Sequence, residues 1–162
     1  MIKKLTSTLI ILVALLPFAW AANPNVQVIN PPTRPVPVTN AGALAAGTTQ
    51  VSASSGNVAN AAAVASLPAV AGKTNYLTGF QCTAAGATGA LVVNVTVTGV
   101  IGGTLTYSFA FPAGVAVQAT PLVMSFNPPL KASAVNTAIT VTLPAGGTGN
   151  TNAAASIQGY YQ

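Results

Sequence analysis

The sequence contains no aspartate, no glutamate and no histidine. Acid–base and nucleophilic catalysis draw mainly on those side chains, so their absence removes most enzyme chemistry. It also leaves no oxygen-ligand cluster for calcium or magnesium. The lone cysteine, Cys82, can build neither a zinc site nor an intrachain disulfide. Cations are scarce as well: Lys3, Lys4, Arg34, Lys73 and Lys131 are the only basic residues, and charged residues are 3% of the chain. Only Arg34, Lys73 and Lys131 lie beyond residue 21, enough to neutralise about three phosphates. That falls short of ordinary non-specific nucleic-acid affinity. No catalytic residue, no cofactor, no metal and no nucleic-acid partner is therefore expected.

What is present points to strands. The 162 residues suit one domain of ordinary size. Hydrophobic residues make up 51%, much of it alanine and valine, with threonine, serine, asparagine and glycine filling much of the rest. β-branched residues are plentiful, while the residues that favour exposed helices are nearly absent. A surface so poor in charge offers little repulsion between free monomers. Self-association, outside the cytoplasm or within an assembly, is the expectation.

Residues 1–21 read as a leader. Lys3 and Lys4 precede the unbroken apolar run at 9–16 (LIILVALL), Pro17 breaks the helix, and Ala19-Trp20-Ala21 supplies the small residues a signal peptidase inspects. Cleavage is expected after Ala21. The competing reading is a retained membrane anchor, since residues 5–22 would span about 27 Å as a helix. The protein is thus expected to be exported or on a virion surface, and membrane-anchored through residues 1–22 if the leader is kept.

Residues 22–63 read as an extended arm and linker. The stretch 23–40 (NPNVQVINPPTRPVPVTN) holds five prolines and alternates Val26, Val28, Val36 and Val38 with polar residues and prolines, Ile29 adding to the apolar set. Proline cannot donate to a sheet ladder, so this is an arm or edge strand. Residues 41–63 read as a linker or a loosely packed first strand, with one alternating piece at 50–54.

From residue 64 to 162 the pattern is that of a β-sandwich. Strands are predicted at 64–67, 75–83, 90–98, 103–111, 121–126, 138–143 and 154–161, divided by glycine- and proline-bearing turns. Val93, Val95 and Val97 alternate with Asn94, Thr96 and Thr98, the period-two signature of a half-buried strand. Leu105, Tyr107, Phe109 and Phe111 repeat it, as do Ile139, Val141 and Leu143. The expected fold is all-β, a single β-sandwich of jelly-roll type.

Several features invite a chemical reading and have a plainer one. A Ser/Lys or Thr/Lys dyad is the only catalytic arrangement the composition permits, but Lys73 and Lys131 sit in turn contexts where solvated lysines are ordinary. The glycine clusters at 102–103 and 146–149 precede strands, so they are hairpin turns rather than phosphate cradles. Asn94-Val95-Thr96 is a glycosylation sequon inside a strand. Tyr76, Phe80, Tyr107, Phe109, Phe111 and Phe126 fall on alternating positions and are expected in the core, where Tyr160 and Tyr161 also dock from the last strand. Cys82 reads as a small buried hydrophobe.

The stretches 72–80 (GKTNYLTGF), 93–103 (VNVTVTGVIGG), 127–130 (NPPL) and 149–154 (GNTNAA) together resemble a group of small β-sandwich proteins of bacteriophages, virion surface components such as decoration, spike or fibre proteins. The resemblance covers about 90 residues and is one of pattern. It implies a structural subunit that self-associates, with a trimer favoured, and packs on a capsid, a membrane or other virion or surface proteins. The leader departs from that pattern and implies a particle that contains, or assembles at, a membrane. The alternative is an exported bacterial surface or filament subunit with an adhesive role. Either would assemble alike: the arm, through Val26, Val28, Ile29, Val36 and Val38, adds to the sheet edge of a neighbour.

Overall fold

The structure, a computed structural model, describes residues 46–162. The leader and the arm residues Val26, Val28, Ile29, Val36 and Val38 lie outside the described residues. The described chain forms eight strands and no helix: β1 (Thr49–Ser54), β2 (Ala63–Leu67), β3 (Asn75–Ala84), β4 (Leu91–Val100), β5 (Gly103–Phe111), β6 (Leu122–Lys131), β7 (Ile139–Leu143) and β8 (Ala153–Tyr161). They build two four-stranded antiparallel sheets, ordered β1-β8-β3-β6 and β2-β7-β4-β5. β1 pairs with β8, β2 with β7, β3 with β6 and β4 with β5, as in one long hairpin rolled over on itself. Pairing of β3 with β8 and of β4 with β7 completes each sheet. That topology is the jelly roll, the fold class the alternation predicts.

The period-two residues build the core. On β7, Ile139, Val141 and Leu143 are fully buried, while Thr140 and Thr142 stand on the outer face. Val95, Val97 and Val100 of β4, Leu77 of β3 and Ile157 of β8 complete the apolar layer. Each such side chain contributes about 1.5–3 kcal/mol by leaving water. The filling is graded. Where β2 packs on β8, alanines at 63, 65, 153 and 155 let the sheets approach closely. Elsewhere aromatics fill the core: Phe80 meets Tyr107 edge to face at 5.3 Å, and Phe109 meets Phe111 at 5.1 Å.

Three expectations need revision. Of the two readings left open for residues 41–63, the strand is realised at Thr49–Ser54, paired along its whole length with β8. The sandwich therefore starts ahead of residue 64. β6 does not end at Phe126 but runs to Lys131 through Asn127-Pro128-Pro129, with a cis bond at Asn127–Pro128. It is an edge strand, where the donors that proline lacks are not needed. In its register Ser125 faces Gly79 and Leu130 faces Leu77, so the intervening residues bulge out opposite Thr78 alone.

The third revision concerns tyrosines. The shift between Leu77 and Gly79 inserts one extra residue into β3 and reverses the inward phase on either side. Phe80 and Leu77 both point into the core, so Tyr76, which shares the parity of Phe80, faces outward. It stacks there on Tyr160, centroids 5.0 Å apart and planes 12° from parallel. Tyr76 and Tyr160 are half-buried on the outer face and not part of the core.

The turns obey local rules. Val100 and Gly103 close the β4–β5 hairpin around Ile101-Gly102, and Gly102 and Gly103 take φ of 91° and 99°, values open to glycine. Two buried asparagines tie loops together. Asn75 donates through Nδ2 to the carbonyls of Pro68 and Thr137, both at 2.9 Å. Asn150 donates through Nδ2 to the Ala85 carbonyl at 2.6 Å and to that of Asn152 at 3.3 Å.

Candidate functional site

The residues considered for chemistry fall in structural roles. Cys82 is buried on β3, and burial pushes its thiol up from about 9 to about 12. A thiol so held stays protonated and unreactive. Lys73 sits in the β2–β3 turn, its N–H donating to Val70 O at 3.0 Å and its carbonyl accepting from Asn136 N at 2.9 Å. Lys131 ends β6, beside Tyr76. No group of three His, Cys, Asp or Glu side chains is found among the described residues. The functional surface is therefore sought on the sheets and their edges.

The two outer faces differ. On β2-β7-β4-β5 many outward residues are threonines and serines in register (Ser66 faces Thr140, Thr142 faces Thr96, and Thr96 faces Thr106), with Val64, Val92 and Asn94 also exposed. Their hydroxyls partly engage one another, as Ser66 Oγ and Thr140 Oγ1 do at 2.9 Å. Thr98 Oγ1 also donates to the Thr140 carbonyl, at 3.5 Å.

The face of β1-β8-β3-β6 is built in rows that cross all four strands. One row reads Gln50, Tyr160, Tyr76, Lys131; the next Ser52, Gln158, Gly79, Ser125; the third Ser54, Ser156, Gln81, Val123. The middle row is low at Ser52, Gly79 and Ser125 and rises at Gln158, so it forms a shallow trough beside the tyrosine row, with Gln81 standing on its other side. Two depressions of about 390 and 400 Å³ share Ser52 and Gln158; the first opens toward Gln81 and Ser125, the second toward Gln50 and Thr78. Gly79 forms the floor: a Cβ there would meet the Met124 carbonyl at 2.7 Å and the Gln158 Nε2 at 3.3 Å. Sequence reasoning missed this face, because the rows depend on pairing between distant strands and on the Thr78 bulge. The dipeptide Tyr160-Tyr161 was its one visible trace.

The edges complete the inventory. β5 pairs, among the described residues, only with β4 along Gly103–Phe111. It is long and carries neither charge nor proline. By contrast β1 has 6 residues, β2 has 5, and β6 contains Pro128 and Pro129. The predicted donor of an edge pairing, the arm residues from Val26 to Val38, lies outside the described residues.

Fold and surface together define an eight-stranded jelly roll in which Lys73 and Lys131 are the only charged side chains among the described residues and most of the accessible polar chemistry is hydroxyl and amide. Comparison with family models, with curated proteins and with solved structures finds no match for this chain.

Proposed function

We propose that the protein is a non-enzymatic structural subunit of a virion surface, a capsid decoration, spike or fibre protein that self-associates and packs on a capsid or membrane. The observation that carries this reading is the β5 edge. It is nine residues of strand with one neighbour among the described residues and no charged or proline residue of its own to guard the other side. An arm alternating valine with polar residues and prolines, as residues 23–40 do, is the complementary donor. Main-chain hydrogen bonds supply the affinity in such an addition, and alternate side chains the register. Jelly rolls recur in viral capsid and lectin domains, which supports the setting by fold analogy alone. The pattern resemblance of segments 72–80, 93–103, 127–130 and 149–154 supports it independently.

The leader favours a second reading, an exported bacterial surface or filament subunit with an adhesive role. The two readings part on location. Mass spectrometry of purified virions and of the washed cell-surface fraction, including the protein's N-terminal peptide, distinguishes them. Stoichiometric recovery in virions supports the first; recovery only in the cell-surface fraction, with a peptide starting at Ala22, supports the second.

A further inference from the structure

From the rows of the β1-β8-β3-β6 face we infer that its trough binds a neutral oligosaccharide. The chain would run across the strands along Ser52, Gln158, Gly79 and Ser125. The site lies on a face, away from the β5 edge, and it stands whether or not the assembly role does.

The chemistry of the lining selects the ligand class. Gln50, Gln81, Gln158, Ser52 and Ser125 are exposed and make no side-chain hydrogen bond among the described residues. Each glutamine amide presents donors and an acceptor in one plane, and each serine hydroxyl presents both. A ligand with paired donor and acceptor groups at every step along its length uses such a lining fully; a polyhydroxylated ring does so. The Tyr76–Tyr160 stack stands in the adjacent row; its rings cover one another's faces at 5.0 Å and turn their edges toward the middle row.

Charge narrows the class further. No side-chain carboxylate exists in the chain, and Lys131 at the end of the tyrosine row is the only ammonium among the three rows. Nothing in the trough therefore compensates a polyanion, and a nucleic acid or a sulfated chain finds too few cations. Dimensions agree. Three strand spacings of ~4.8 Å make the trough about 14 Å long, room for roughly two or three pyranose rings. The bulge at Thr78 contributes directly, because it brings Tyr76 out beside Tyr160 and sets Gly79 in the floor.

The test uses the full chain against immobilised neutral oligosaccharides (α- and β-linked glucans, mannans, chitin oligomers). Oligogalacturonates and sulfated oligosaccharides serve as acidic controls, and hits are followed by titration. Binding of a neutral chain is expected, weakened about tenfold or more (~1.4 kcal/mol) by Gln158→Ala and by Gln81→Ala, and unchanged by Thr96→Ala on the opposite sheet. Near-ultraviolet circular dichroism checks that each variant is folded. The proposal is overturned if no neutral oligosaccharide binds, or if acidic ones bind better. It is equally overturned if Gln158→Ala and Gln81→Ala bind as the parent does, or if Gln158→Ala disrupts assembly, which would mark the face as a contact between copies. Failure of these arms leaves the location measurements untouched, so the two readings fall separately.

Discussion

Asn150 is fully buried, and its Nδ2 holds the β3–β4 loop to the start of β8 by donating to Ala85 and Asn152. Its Oδ1 is buried without a partner, as is that of Asn75. An asparagine in this position works as a clasp between loops that the sheets alone do not fix. Removing it leaves the Ala85 carbonyl buried without its side-chain donor, and such losses cost about 1–3 kcal/mol. Asn150→Ala is therefore expected to lower stability by about 1–3 kcal/mol, measured by urea unfolding, with little change in the slope against denaturant. Cys82 makes the second prediction at this scale. No Asp, Glu or His titrates anywhere in the chain, so stability is expected to be nearly flat from about pH 4 to pH 8. The Cys82 thiol is raised in the folded state, from about 9 to about 12, by burial. Below pH 9 both states hold the proton and the group has no effect. Between 9 and 12 the unfolded chain loses its proton while the folded chain keeps it, so stability falls as pH rises. Unfolding curves of the parent and Cys82→Ala compared from pH 7 to 11 check this: the parent is expected to lose stability faster above pH 9. An acid-unfolding midpoint near pH 4 contradicts the flat region.

In the proposed assembly β5 is the accepting edge, because the other edges among the described residues are short or carry proline. Its outward residues include Thr106 and Ser108, which face Thr96 and Asn94 across the β4 ladder. Placing charge on an exposed edge strand is a common device against strand addition. The double variant Thr106→Lys, Ser108→Lys is expected to stay folded and to lose assembly by analytical ultracentrifugation; assembly at the parent's concentration dependence counts against β5 as the acceptor. At the same scale the sequence was legible wherever period two ran uninterrupted. β4, β5 and β7 alternate valine, leucine, isoleucine or phenylalanine with threonine or serine, and burial follows that alternation. It was less legible where one residue broke the phase. Thr78 turns Tyr76 outward, and nothing local marks it as a bulge. The prolines of β6 read as a terminator because a central strand cannot hold them, and the sequence does not say that β6 lies at an edge. β1 (TQVSAS) is short and small, and only its partner β8 supplies a reason for it to be extended. The trough was illegible for the same cause: each of its rows joins residues from four separate strands.

For the whole molecule, the jelly roll explains how a chain nearly without charge can be a folded unit. Rolling one long hairpin buries the alternating apolar residues between two sheets and leaves hydroxyls and amides on both outer faces. Solubility then rests on neutral polar groups, which solvate a monomer but repel nothing. Specificity has to come from shape and from the backbone, and the chain carries a segment suited to the latter. Residues 23–40, with five prolines, cannot make an independent core, yet their valines can set register along an edge while prolines fall where a missing donor is harmless. Deleting residues 23–40 while keeping the leader and residues 41–162 is expected to leave the sandwich folded, with circular dichroism unchanged in the strand region. The same deletion is expected to abolish ordered assembly by light scattering and electron microscopy, yielding monomers or amorphous aggregate. A trimer is expected from the intact chain if the subunit is a spike and an open filament if it is a fibre, since a closed ring of arm-to-edge additions stops growing and an open one does not. Adding a synthetic 23–40 peptide to the truncated protein should cap β5 and suppress the aggregate. Should the truncated protein instead assemble as the intact chain does, the arm is a tether, and the contact between copies belongs to the sheets themselves.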